Sequence, residues 1–217
     1  RQLRLAVSYL SLSILTEAKL GGSGQRYAIG TETTPLPNNT VGADVMKTYF
    51  DVWYNTIEDV LSVSGLIGTI AFQPLPRTIT SKAKANGGVM IFSYISFPGS
   101  TNGKAQDLLD FPTDTDYIIF EVDISHFFGS DDDRVEAAIQ TLYSGLDNHV
   151  QNFTSYGYLP DVYRPLFMND AHGSENYWGR IRTREMAQIT RKAYDPEEFF
   201  QEERVEVLDW ADMLFMG

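Results

Sequence analysis

Glu121 and Asp123 occupy alternate positions in the run Tyr117 to Ser125, interleaved with Ile118, Phe120, Val122 and Ile124. Successive side chains of an extended chain point to opposite faces. This spacing therefore predicts a strand with an apolar face and a polar face that carries both carboxylates. Two carboxyl groups on one surface can divide acid and base work, because burial keeps a proton on one while the other stays ionised. Burial beside Tyr117 and Ile119 would raise Glu121 or Asp123 in this way. Glu121 is the better candidate, since Asp123 lies nearer the strand end, where solvent or the following turn competes for it. Gln73 and Thr69 lie on alternate positions of a second β-rich run and can share that face as hydrogen-bonding groups. Gln73 also abuts the break Pro74-Leu75-Pro76, and strand ends are common places for binding groups. Tyr94 and Tyr117 are the candidate ring contacts for a ligand. A polar face that simply meets water would show the same alternation.

Other chemistries lack their residues. The chain of 217 residues has no cysteine, which excludes disulfides, thiolate nucleophiles and cysteine-based zinc sites. Its three histidines, His126, His149 and His172, show no i,i+4 pair, and no metal-binding set is expected. Gly21-Gly22-Ser23-Gly24 lacks the Lys-Ser/Thr of a phosphate-cradling loop, and no Gly-x-Ser-x-Gly elbow occurs. A formal charge of −12 argues against nucleic acid and anionic membrane surfaces as partners. No window holds the roughly 18 to 20 apolar residues of a membrane span. Two glycosylation triplets, Asn38-Asn39-Thr40 and Asn152-Phe153-Thr154, fit a secretory or extracellular history. Arg1 opens the chain without a signal-peptide pattern, so a processed or excised piece is the expectation.

The elements that must position these groups follow from periodicity. Apolar stripes predict helices from about Gln2 to Lys19 and from about Ala43 to Val63, the second ended by Gly65. Strands are expected over Arg26 to Thr34, Leu66 to Gln73, Val89 to Ser96 and Tyr117 to Ser125, with a last short one from Tyr163 to Met168. Pro74-Leu75-Pro76 should force the chain out of the sheet, and Thr78 to Ala85 should be a short helix. Asp131-Asp132-Asp133 should cap a helix running to about Val150. A final helix is expected over Glu175 to Ala193, stopped by Tyr194-Asp195-Pro196. This order predicts an α+β fold, a mostly antiparallel sheet covered on one face by helices. No interdomain linker is visible, so residues 1–217 read as a single domain, with 175–217 as its closing helix and acidic tail.

The C-terminal third carries a more specific pattern. Phe167-Met168-Asn169-Asp170-Ala171, then Tyr177-Trp178-Gly179, then a helix ending in Tyr194-Asp195-Pro196 and closed by Phe199-Phe200-Gln201, resembles berberine-bridge-enzyme-like FAD-linked oxidases of the fungal branch. Phe72-Gln73-Pro74-Leu75-Pro76, Asn86-Gly87-Gly88 and Asp131-Asp132-Asp133-Arg134-Val135 recur there in the same order. The resemblance covers roughly residues 40 to 201. It implies the fold of the family's substrate-binding domain, with Asn169 near the flavin as a cofactor and substrate contact and Gln73 lining the space between flavin and substrate.

The family's FAD-binding half would lie before Arg1. The resemblance therefore implies no cofactor in this chain alone, and FAD where a partner chain supplies an FAD domain. The expected function is the substrate-binding part of an FAD-linked oxidoreductase of natural-product metabolism, acting on a small molecule. Two alternatives stay open: a flavin-free cyclase or isomerase of fungal secondary metabolism, and a small-molecule binding module.

Overall fold

The computed structural model describes residues 26–85 and 108–197. The expected helix at Gln2 to Lys19, the strand at Val89 to Ser96 with Tyr94, and the tail beyond residue 197 lie outside the described residues. Three strands form the sheet: β1 (Arg26–Pro35), β2 (Ile67–Leu75) and β3 (Tyr117–His126). Their order is β1-β3-β2 and both pairings are antiparallel, so the strand with the clearest alternation is the central one. The α+β reading of the sequence holds.

Helices α1 (Gly42–Asp59) and α3 (Asp132–Ser155) seal one face. Ile118, Phe120, Val122 and Ile124 of β3 meet Val45 and Tyr49 of α1 and Ile139, Leu142 and Leu146 of α3 in the main core. Phe120 is fully buried at its centre, edge-on to Tyr49 and Phe72 with ring centroids 4.9 and 5.4 Å apart. A second, smaller cluster covers the far end of the other face. Tyr117 and Ile119 pack there against Leu109, Phe111, Leu166, Tyr177 and Ile181. Helix α2 (Arg77–Ala85) follows β2, and α4 (Tyr177–Arg180) and α5 (Arg184–Tyr194) close the described chain. None of the described helices is long and apolar enough to cross a membrane.

Five expectations change. The Pro74-Leu75-Pro76 break does not expel the chain at Gln73: β2 continues to Leu75, with Pro74 opposite Ile118. It can do so because β2 is bonded only to β3 among the described strands, and a strand with a free side tolerates a missing donor. Tyr163 to Met168 is not a strand, since Pro165 lacks an amide and side chains fix the segment instead. Thr33 Oγ1 donates to the Pro165 carbonyl at 2.6 Å, and Arg164 Nη1 donates to the Thr33 carbonyl at 3.4 Å. The helix begun at Gly42 stops at Asp59, whose carbonyl accepts from Arg134 Nη2 at 2.7 Å. The expected closing helix is split: Ile181 is extended, at φ −100 and ψ 112, and drops into the second cluster between α4 and α5. Finally, Asp131 precedes α3 without a side-chain cap bond. Asp132 is engaged instead with Arg26 Nη2, 2.5 Å away, and His126 Nε2, 2.8 Å away, and the Arg26 hydrogen bond holds its carboxyl below the usual carboxylate range.

Gly65 marks the turn into β2. Its φ of +72 suits glycine, and a Cβ there would lie 2.4 Å from the Phe127 ring. Gly65→Ala is expected to destabilise the chain by about 1–3 kcal/mol in urea unfolding, through strain and overpacking together. A loss below about 0.5 kcal/mol would show that Phe127 can swing away freely.

Candidate functional site

Antiparallel partners share a face, so the register defines the side of the sheet that the main helices leave open. Its rows are Thr33–Ile119–Gln73, Thr31–Glu121–Ala71, Ile29–Asp123–Thr69 and Tyr27–Ser125–Ile67. Gln73 and Glu121 therefore lie on one face, diagonal to each other, and Gln73 Nε2 donates to Glu121 Oε2 at 2.5 Å. One row along, Thr69 Oγ1 donates to Asp123 Oδ2 at 3.1 Å. All four side chains are half-buried. Burial, reinforced by the charge of Glu121, pushes the Asp123 carboxyl above its ordinary value.

A third carboxyl joins them from outside the sheet. Asp170 ends the 3-10 turn Met168–Asp170, is only 7% exposed, and has no hydrogen-bond partner at Oδ2 among the described residues. Burial first, and then the charges of Glu121 and Asp123, push it up to about 7. Glu175 is likewise raised to about 7 by burial, although it accepts from the backbone amides of Thr31 at 3.2 Å and His172 at 2.6 Å. That bridge ties the segment carrying Asp170 to the outer edge of β1.

The remaining sequence candidates fall elsewhere. Tyr117 is buried in the second cluster against Phe111, and its hydroxyl donates to the Tyr163 carbonyl at 2.8 Å, so it packs the floor and offers no ring to a ligand. Asn169 neighbours Asp170 but is exposed. The sequon residues Asn38 and Asn152 are both exposed. Among the described residues no group of three or more His, Cys, Asp or Glu side chains is arranged to hold a metal ion.

Two features escaped the sequence reading. Asp170 lies within Phe167 to Ala171, next to Asn169, and no periodicity in that irregular segment singles it out. Glu32 is a charge at a core-facing position of β1, opposite Phe120, and is 2% exposed. Its Oε1 and Oε2 accept from Arg180 at 2.7 and 3.1 Å, and Arg164 bridges Glu32 Oε1 and Asp147 Oδ1 at 3.3 and 3.2 Å. A charge breaking an inward row was the available signal, because such a charge demands a partner.

The raised carboxyls set the pH dependence of stability. Each keeps its proton more tightly folded than unfolded, so its contribution is complete below the unfolded value and is lost as pH rises through the folded one. Asp170 and Glu175 place that loss between about pH 4 and about pH 7. The variant Asp170→Asn should gain roughly 1–2 kcal/mol near pH 8, after allowance for solvent screening, and change little near pH 4. Urea midpoints across that range check this. Equal midpoints for both chains at pH 8 would mean that Asp170 ionises without penalty.

The groups on the open face can hydrogen-bond a ligand, fix a carboxylate with a donated amide hydrogen, and exchange a proton near neutrality. Comparison with known proteins gives this chemistry a setting. No protein-family model matches the chain, and no solved structure matches it significantly. Over 196 residues, 89% of its length, the chain is 33% identical to a protein of Arthroderma benhamiae named as an uncharacterized FAD-linked oxidoreductase. It spans 35% of that relative's length. The chain is thus FAD-linked-oxidoreductase-like, similar through most of its own length to about a third of such a protein.

Proposed function

We propose that this chain is the substrate-binding part of a berberine-bridge-enzyme-like FAD-linked oxidoreductase of natural-product metabolism, with its ligand held on the open face of the sheet. The observation that carries the reading is the division of the sheet. One face is sealed by α1 and α3, while the other carries the pairs Gln73–Glu121 and Thr69–Asp123, whose charges act on the buried carboxyl of Asp170. A polar face facing only water has no need for a buried carboxyl raised to about 7 above it.

The face fits a small organic ligand better than the dinucleotide. No strand residue of its rows is a cation, and its carboxylates repel a pyrophosphate. FAD would therefore be held by residues beyond this face, in the part of such a protein that precedes this segment or in a partner chain. On the face itself, Gln73 fixes one Glu121 oxygen and leaves the other for a ligand proton. Asp170 gives or takes a proton at Oδ2 with little cost near neutrality. The same groups would serve a flavin-free cyclase or isomerase, so the cofactor decides between the two.

The visible absorbance spectrum makes that decision. The purified chain alone is expected to carry no flavin band. Co-purified with the remaining part of the Arthroderma benhamiae relative, it should form a complex with one flavin per complex. Failure of the two to associate, or stoichiometric FAD in the chain alone, would overturn the partner arrangement.

A further inference from the structure

The two glycosylation triplets stand in different backbones, and the chemistry of the asparagine amide separates them. Asn38 is exposed in the connection from β1 to α1. Its Oδ1 accepts from the backbone amides of Thr40 at 2.9 Å and Val41 at 3.2 Å, which closes an Asx turn. The turn uses Oδ1 alone, so Nδ2 has no hydrogen-bond partner among the described residues. The hydroxyl of Thr40, also exposed, has none there either. Asn152 is exposed as well, but it lies within α3, where an amide is held on the carbonyl four residues back. The Thr154 hydroxyl donates to the Val150 carbonyl at 2.8 Å, and Phe153 packs against the main core. No Asx turn can close at Asn152 while that helix is intact.

We propose that Asn38 is an N-glycan acceptor and that Asn152 is not. The transfer joins Asn38 Nδ2 to the anomeric carbon of an oligosaccharide carried on a lipid pyrophosphate. The bond from that carbon to the pyrophosphate oxygen breaks, the lipid pyrophosphate leaves with the electron pair, and Nδ2 gives up one proton to the transferase. The step needs an amide nitrogen free of competing bonds and a free hydroxyl two residues on, and Asn38 with Thr40 offers both. The turn is closed by residues two and three positions away, so it requires no tertiary structure and is open to the chain before it folds. The helix that holds Asn152 is local in the same way. A bulky, hydrated glycan fits at Asn38, which lies beyond the Pro35–Tyr117 end of the sheet and belongs to neither apolar cluster. The proposal does not depend on the oxidoreductase reading.

The test directs the whole chain into the secretory pathway of a eukaryotic host with a cleavable leader and recovers it whether secreted or retained. Peptide-N-glycosidase then releases the glycans and leaves aspartate at each attachment site, which peptide mapping by mass spectrometry locates. Occupancy at Asn38 is expected to exceed that at Asn152 by about tenfold or more, because the Asn152 triplet must first leave its helix. Asn38→Gln and Thr40→Val should each abolish the glycan at position 38. Thr40→Val keeps the asparagine and the size of the threonine side chain, so it reads the hydroxyl alone. Both positions are exposed, and urea midpoints close to that of the unaltered chain are expected for both variants. An unmodified Asn38, equal occupancy at the two asparagines, or a glycan that persists on Asn38 in Thr40→Val would each overturn the proposal.

Discussion

Replacing Arg180 by methionine is expected to destabilise the chain by about 3–5 kcal/mol, read as a lowered urea midpoint at neutral pH. The reason is Glu32. Burial pushes its carboxyl up, and the Arg180 hydrogen bonds and charge pull it back. Removing the guanidinium leaves a carboxylate 2% exposed with Arg164 as its remaining cation, at 3.3 Å. The double variant Glu32→Leu/Arg180→Met should recover most of the loss, because well-packed apolar groups of similar volume replace a buried ion pair at little net cost. Arg164 would still have Asp147. A single-variant loss below about 1 kcal/mol would show that the pair behaves like a solvent-exposed bridge. The network matters beyond stability, since it anchors the segment from Arg164 to Arg180 on β1, and that segment carries Asp170.

Glu121→Gln should lower turnover by about 10²- to 10⁴-fold in a flavoprotein complex containing this chain, with urea stability nearly unchanged. Glutamine keeps an oxygen able to accept from Gln73, so the geometry survives while the proton-accepting carboxylate is lost. Gln73→Leu should cost less, about tenfold, because it frees the carboxylate without removing it. Unchanged turnover in folded Glu121→Gln would take Glu121 out of the chemistry and leave Asp170 as the group to test. The same assay with Asp123→Asn separates the two sheet carboxylates.

The sheet was legible because its central strand obeys a strict alternation. Ile118, Phe120, Val122 and Ile124 fix one face, so the placement of Glu121 on the other follows from geometry alone. Gln73 joined it because β2 and β3 pair in a register that keeps Gln73 diagonal to Glu121. Less of the covering layer could be read. Tyr163 to Met168 has the composition of a strand, but Pro165 and the Arg164 contacts decide otherwise. Tyr117 looked like a ring for the ligand, and only the packing of 108–111 and 162–181 over that end of the face turned it into core. Asp170 owes its character to desolvation and to charges roughly fifty residues away in sequence, which no local pattern encodes. Glu32 is the instructive case between these extremes. Its position was visible as a charge in an inward row, while its partners Arg164 and Arg180 come from an irregular segment with no period to place them.

Hydrogen–deuterium exchange of the chain, free and mixed with the remaining part of the Arthroderma benhamiae relative, tests most directly whether the open face is the one that a partner and ligand occupy. The amides of Thr69 to Gln73 and of Phe167 to Glu175 should exchange about tenfold more slowly in the complex, with those of α1 and α3 unchanged. Protection confined to α1 and α3, with the segment around Gln73 and Asp170 unaffected, would contradict the account, because it would put the partner on the face that the core already occupies.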